Sequence, residues 1–209
     1  MSSNPLAITM SLTNIFEYIS FTAPLLVVFF ITLLSIAQNS LEKGIVFNMG
    51  IVILSTIVLV LKNAIKNKQS VFASPFCNIL PSPFTVKDIG AVYNAPSLSS
   101  AILAFSSTYL IYPMVINNQH NYSLLLFLIG VTAINVVTEY SQKCSDIMGL
   151  ILGLLVGVFF GLLYYTMLYI STKSKFVYFA DSISNNVQCT KPTNQQFKCQ
   201  VYKNGEVIG

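Results

Sequence analysis

The stretch Ser145–Ile170, SDIMGLILGLLVGVFFGLLYYTMLYI, decides the fold. From Ile147 to Ile170 it carries no charged side chain. It is long enough to cross a bilayer core, which takes roughly 20 apolar residues. Gly149, Gly153, Gly157 and Gly161 recur at every fourth position and so share one helix face. Such a face lets another backbone approach closely, either within a bundle or from a second chain. Tyr164, Tyr165 and Tyr169 follow and read as an aromatic belt at the membrane boundary.

Four further apolar runs precede it: Ile19–Ala37, Ile45–Leu61, Ser99–Ile116 and Tyr122–Val137. Hydrophobic residues make up 54% of the chain and charged residues 9%, with mean hydropathy +0.69. A soluble domain usually carries about a quarter charged residues, so this composition belongs in lipid. Asn48 and Asn135 interrupt two of the runs and should face other helices, because an unpaired amide in hydrocarbon is costly. None of the five runs holds an ionisable residue, which argues against a proton-coupled transporter.

The expected fold is an all-α integral membrane helical bundle of about five spans (residues 19–170) with a small C-terminal extramembrane β-hairpin tail (171–209). An N-terminal interfacial segment (1–18) precedes the bundle, with Leu6, Met10, Ile15 and Ile19 as its apolar stripe and Pro5 and Pro24 as its bounds or kinks. No lysine lies in Met1–Ser20, so the basic region of a signal peptide is missing there. In the tail, Lys175–Ala180 reads as a short strand. Phe197, Cys199 and Val201 alternate with polar residues, and Asn204-Gly205 supplies a two-residue turn before Glu206-Val207-Ile208.

Five spans put the two ends of the bundle on opposite sides of the membrane. Side A takes the N-terminus, the loop Lys62–Leu98 and the loop Thr138–Asp146. Side B takes Gln38–Gly44, Asn117–Asn121 and the tail. Lys62, Lys66, Lys68 and Lys143 flank the membrane on side A, against Lys43, Lys173 and Lys175 on side B. That balance leans towards side A as the cytoplasmic one. The four cysteines divide the same way, Cys77 and Cys144 on side A, Cys189 and Cys199 on side B. A four-cysteine zinc site is thereby excluded. Either pair can bridge or stay as thiols, but both should not bridge together, since at most one side of an ordinary membrane is oxidising. Cys189–Cys199 is the disulfide candidate that would close a loop in the tail. All 11 basic residues are lysine, too few and too dispersed for nucleic acid, and no cofactor or metal motif is present.

The side A segments carry three marks in order. Lys62 opens Lys62-Asn63-Ala64-Ile65-Lys66-Asn67-Lys68-Gln69-Ser70, Pro96-Ser97-Leu98-Ser99 opens the third run, and Ser145-Asp146 opens the fifth. Over about Ile45–Gly161 this layout resembles the type 2 phosphatidic acid phosphatase superfamily, a helical membrane bundle. Its motifs are Lys, six residues, Arg-Pro; then Pro-Ser-Gly-His; then Arg and His ahead of an Asp. Lys62, Pro96 and Ser97 match. Gln69 and Ser70 replace Arg-Pro, and Leu98 and Ser99 replace Gly-His. Asp146 matches the family Asp with Gln142 and Val136 in the His and Arg places, although the glycine phase would align Ser145 there instead.

The resemblance implies a His nucleophile oriented by an Asp, a second His as acid, and Lys with Arg holding phosphoryl oxygens. This chain has no arginine, and its one histidine, His120, lies on side B. The expectation is a non-enzymatic structural or scaffold protein on a degenerate frame, in contact with membrane lipids and joined to a larger assembly through its tail. A lysine-, asparagine- and isoleucine-rich composition points to an AT-rich genome, and thus to a virion internal membrane linked to a capsid, or to an accessory subunit of a protist membrane complex. A second expectation is a pseudoenzyme that binds a lipid or phosphate headgroup at Lys62, Lys66, Gln69, Ser97, Ser99 and Asp146. Asp146 also reads as a plain cap on the fifth helix, and the lysines as solvated interfacial residues. The third is a live enzyme using Ser99 with help from lysine.

Overall fold

In hydrocarbon every backbone polar group must find its partner inside the protein, so apolar runs of this length fold as helices. The computed structural model describes residues 12–74, 77, 93–117, 121–172, 177–178, 201–203 and 206–208. It contains helices α1 (Leu12–Ala37), α2 (Leu41–Ile65), α3 (Leu98–Ile116), α4 (Tyr122–Ser141) and α5 (Ile147–Thr172). All five are long and apolar enough to cross a membrane, the architecture of a multi-pass membrane protein. Strands β1 (Val201–Lys203) and β2 (Glu206–Ile208) pair antiparallel, with Val201 opposite Ile208 and Lys203 opposite Glu206.

Helix α3 is the hub. It touches each of the other helices, and its longest seam is with α5. Lipid gives no hydrophobic drive for helix association, so close packing has to hold the seam together. The four glycines of α5 all lie along it. A Cβ on Gly149 would stand 3.1 Å from the Ala95 Cβ, one on Gly153 2.6 Å from the Ser97 carbonyl oxygen, and one on Gly161 3.0 Å from the Thr108 Cβ. Gly157 meets the Ala101 carbonyl and the Ala104 Cβ. Of the two uses open to this face, the structure places it against α3 of the same chain.

Helix α1 is continuous from Leu12, so the interfacial segment expected up to residue 18 merges with the first span; residues 1–11 lie outside the described part. Pro24 sits inside α1 without ending it. Proline lacks the N–H that would bond the carbonyl four residues earlier. That carbonyl, on Ser20, accepts instead from the Asn135 side-chain amide of α4 at 3.1 Å. Asn48 of α2 likewise faces α1, donating to Thr32 Oγ1 at 3.0 Å.

The aromatic belt is corrected in part. Tyr165 is buried, and Tyr164 turns inward to donate to the Val46 carbonyl at 2.7 Å. Both join a ring cluster with Phe47, Phe105, Tyr109 and Phe160. Only Tyr169 is left as an exposed ring of the three. The strand expected at Lys175–Ala180 is also corrected where it is described. Val177 and Tyr178 form a bend and a turn, both buried, with the Tyr178 ring edge-on to Tyr109 at 6.3 Å. An aromatic side chain finds more cover in that ring cluster than it would in a short strand outside the bundle.

Candidate functional site

The polar chemistry collects where α3 begins and α4 ends. Ser97 is the N-cap of α3, its Oγ accepting from the Ser100 N–H at 3.3 Å. Its backbone N–H donates to the Gly149 carbonyl at 2.9 Å, which fixes the α3 start against α5. Ser99 follows in the first turn, half-buried. Both hydroxyls donate to one carboxylate. Ser97 Oγ reaches Glu139 Oε2 at 2.6 Å, and Ser99 Oγ bonds Glu139 Oε1. Glu139 is 5% exposed, and the half-buried Lys62 in the last turn of α2 faces it electrostatically.

This arrangement overturns the expectation that no span holds an ionisable residue. Helices α2 and α4 run to Ile65 and Ser141, past the expected ends at Leu61 and Val137, and so take in Lys62 and Glu139. The physical reason is mutual satisfaction: a carboxylate with two hydroxyl donors and a nearby cation tolerates burial where a lone one would not. The exclusion of proton-coupled transport therefore loses its premise.

The remaining candidates are spread around this core. Lys66 ends α2 in a left-handed conformation (φ 52°), is exposed, and donates its N–H to the Lys62 carbonyl at 2.9 Å. Gln69 donates to the Cys144 carbonyl at 3.3 Å. Asp146 accepts from the Asn67 amide at 3.2 Å, and its backbone carbonyl takes the first bond of α5, from Leu150. Ser145 is buried and donates to the Asn94 carbonyl at 2.7 Å. Thus the structure gathers Lys62, Ser97 and Ser99 and holds Lys66, Gln69 and Asp146 in the loops above them. Gln142 bonds Glu17 of α1. His120, Cys189 and Cys199 lie outside the described residues. Cys77 and Cys144 form a disulfide across side A.

Glu139 is the residue of this cluster that the sequence alone did not bring forward. The signal was available: Leu128, Asn135 and Glu139 are the buried residues of α4 and fall on one helical face. Asn135 had to face inward, and Glu139, four residues on, had to share its side.

Among the described residues no group of three or more His, Cys, Asp or Glu could hold a metal ion. Chemically, the start of α3, two hydroxyls and Lys62 form a set of donors suited to an anion. Glu139 supplies that anion from within the chain. The class defined by the fold is a five-helix membrane bundle with one buried carboxylate, Glu139, hydrogen-bonded at one end. No family model matches the chain, and no curated protein or solved structure is significantly similar to it.

Proposed function

We propose that this chain is a non-enzymatic membrane scaffold on a degenerate lipid-phosphatase-like frame. One observation carries the reading. The Glu139 carboxylate takes both serine hydroxyls and faces Lys62, the donors a phosphoryl group would need. A phosphate entering beside it would meet like charge in a poorly solvated place. Ser99, in the nucleophile's position, donates to a carboxylate already shared with Ser97.

The positive role falls to the tail, residues 171–209, read as an extramembrane hairpin segment that joins a larger assembly. Virion internal membrane and protist membrane complex are the two settings that the arginine-free, asparagine- and isoleucine-rich composition supports. The test is twofold. Purified protein in micelles containing phosphatidic acid should release no phosphate above background, and Ser99→Ala should change nothing. Pull-down in mild detergent should recover partners with the full chain that a chain ending at Ser171 loses. Phosphate release abolished by Ser99→Ala, or identical partners with both chains, would sink the reading.

A headgroup-binding pseudoenzyme is the second reading, supported by the cation Lys62, in the last turn of α2 beside Glu139. It requires phosphatidic acid vesicles to bind the protein through Lys62, and Lys62→Ala to abolish that binding.

A further inference from the structure

We infer that the end of the bundle carrying Ser97, Ser99 and Glu139 faces an oxidising compartment, and that the chain beyond Thr172 emerges on the reducing side. The inference starts from the Cys77–Cys144 disulfide, which joins residues 67 apart in sequence with a Cα–Cα distance of 5.2 Å. Both cysteines sit in the side A segments. The bridge is embedded in their contacts. The Ser74 N–H donates to the Gln142 carbonyl at 3.2 Å and Gln69 donates to the Cys144 carbonyl at 3.3 Å, while the Cys144 N–H is tied to the Glu139 carbonyl within its own segment. Lys143 stands over the Phe72 ring at 5.4 Å. The two segments are therefore held together by polar contacts at the place where the sulfurs meet.

Such a bond persists where thiols are not continually reduced, outside the cytosol of an ordinary cell. Its formation takes two protons and two electrons from the two thiols. A disulfide-bearing oxidant of that compartment accepts them by exchange and leaves as a dithiol. Helix α5 alone separates the segment of Cys144 from the tail, which puts the residues after Thr172 on the opposite face. Cys189 and Cys199 then belong to the reducing side and remain thiols, against the bridge first considered for them.

The lysine balance gives no contrary vote once the structure is known. Lys62 is half-buried in the last turn of α2, and its charge is taken up by Glu139. That leaves Lys66, Lys68 and Lys143 on side A and Lys43, Lys173 and Lys175 on side B. An even count does not orient a chain. Any partner of the tail is met in the reducing compartment, a corollary that rests on the scaffold reading.

The test uses the full chain in the inner membrane of a bacterial host. Thiols are first blocked under denaturing, non-reducing conditions with a light maleimide. The protein is then reduced and labelled with a heavy one, and the peptides are read by mass spectrometry. The expected pattern is light label on Cys189 and Cys199 and heavy label on Cys77 and Cys144. In sealed inverted vesicles, a membrane-impermeant maleimide should label Cys189 and Cys199 without reductant or detergent. Light label on all four, heavy label on all four, the reverse pattern, or tail labelling that needs detergent each overturns the inference. Cys144→Ser should release Cys77 to the light label; if Cys77 still takes only the heavy one, it has another partner and the pairing is wrong. None of these readouts depends on a tail partner, so this inference and the scaffold reading fail separately.

Discussion

The Asn135 amide bonds the Ser20 carbonyl, the one that Pro24 deprives of its helical donor. One side chain of α4 thus repairs a gap in α1, inside the part of the protein where no water can do so. Asn135→Ala should leave that carbonyl unpaired and cost about 1–3 kcal/mol. Pro24→Ala restores an N–H at the right place, so the double variant should lose much less than Asn135→Ala alone. Denaturation in mixed micelles across the four-member cycle measures the coupling. Additive losses would show that Asn135 and Pro24 act independently.

Glu139 binds three helices together through Ser97, Ser99 and its attraction to Lys62. Removing the carboxylate leaves the Ser97 and Ser99 hydroxyls without their acceptor, and a buried polar group left unsatisfied costs about 1–3 kcal/mol. Glu139→Ala should therefore destabilise, and Lys62→Met added to it should recover part of the loss. Glu139→Ala should also open the anion set of Ser97, Ser99 and Lys62. Retention of the variant on phosphatidic acid vesicles, compared with phosphatidylcholine, should rise above that of the unaltered chain. Equal retention would mean that Glu139 does not fill an anion site.

These two clusters mark where the sequence could be read and where it could not. The five helices were legible because lipid imposes a strict rule on long apolar runs, and the inward turn of Asn48 and Asn135 followed from the cost of a bare amide in hydrocarbon. Helix ends were not legible at Lys62 and Glu139. Apolar content falls there, and only a tertiary partner decides whether the helix continues. Tyr164 and Tyr165 were misplaced for a related reason. An amphipathic ring suits a membrane boundary and a packed cluster equally well, and the choice depends on Phe105 and Tyr109 from α3. The Cys77–Cys144 pairing was open because a separation of 67 residues carries no geometric information until α4 and the loop after α2 are placed.

Gly153 tests the α3–α5 seam. An added Cβ would lie 2.6 Å from the Ser97 carbonyl and 3.2 Å from its nitrogen, both backbone atoms that cannot swing aside. Gly153→Ala should push α5 from α3 and cost about 1–3 kcal/mol as overpacking. It should also disturb the Ser97–Glu139 bond. Gly130 of α4 is the control, with nothing within 4 Å of an added Cβ. Gly130→Ala should be neutral or stabilise by up to about 1 kcal/mol through helix propensity. Comparable losses in the two variants would show that the seam is not tight.

Tyr178 fastens the start of the tail to the bundle. Its ring lies against Tyr109, its hydroxyl donates to the Ile31 carbonyl at 3.4 Å, and it also bonds the Ser35 side chain. Burial raises its phenol pKa above the ordinary value near 10, with the Ser35 hydrogen bond pulling the other way. The docked state thus holds the phenol proton more tightly than the released state. Docking is complete below about pH 10 and weakens as pH climbs from there through the raised value. Limited proteolysis after Thr172, followed as a function of pH, should show a tail that becomes cleavable on the alkaline side. Tyr178→Phe keeps the ring and removes the ionisable group, so it should flatten that dependence. Tyr178→Ala should make the tail cleavable at neutral pH, because losing a buried aromatic side chain costs about 3–5 kcal/mol. An alkaline transition that survives in Tyr178→Phe would assign it to another group and leave Tyr178 as packing alone.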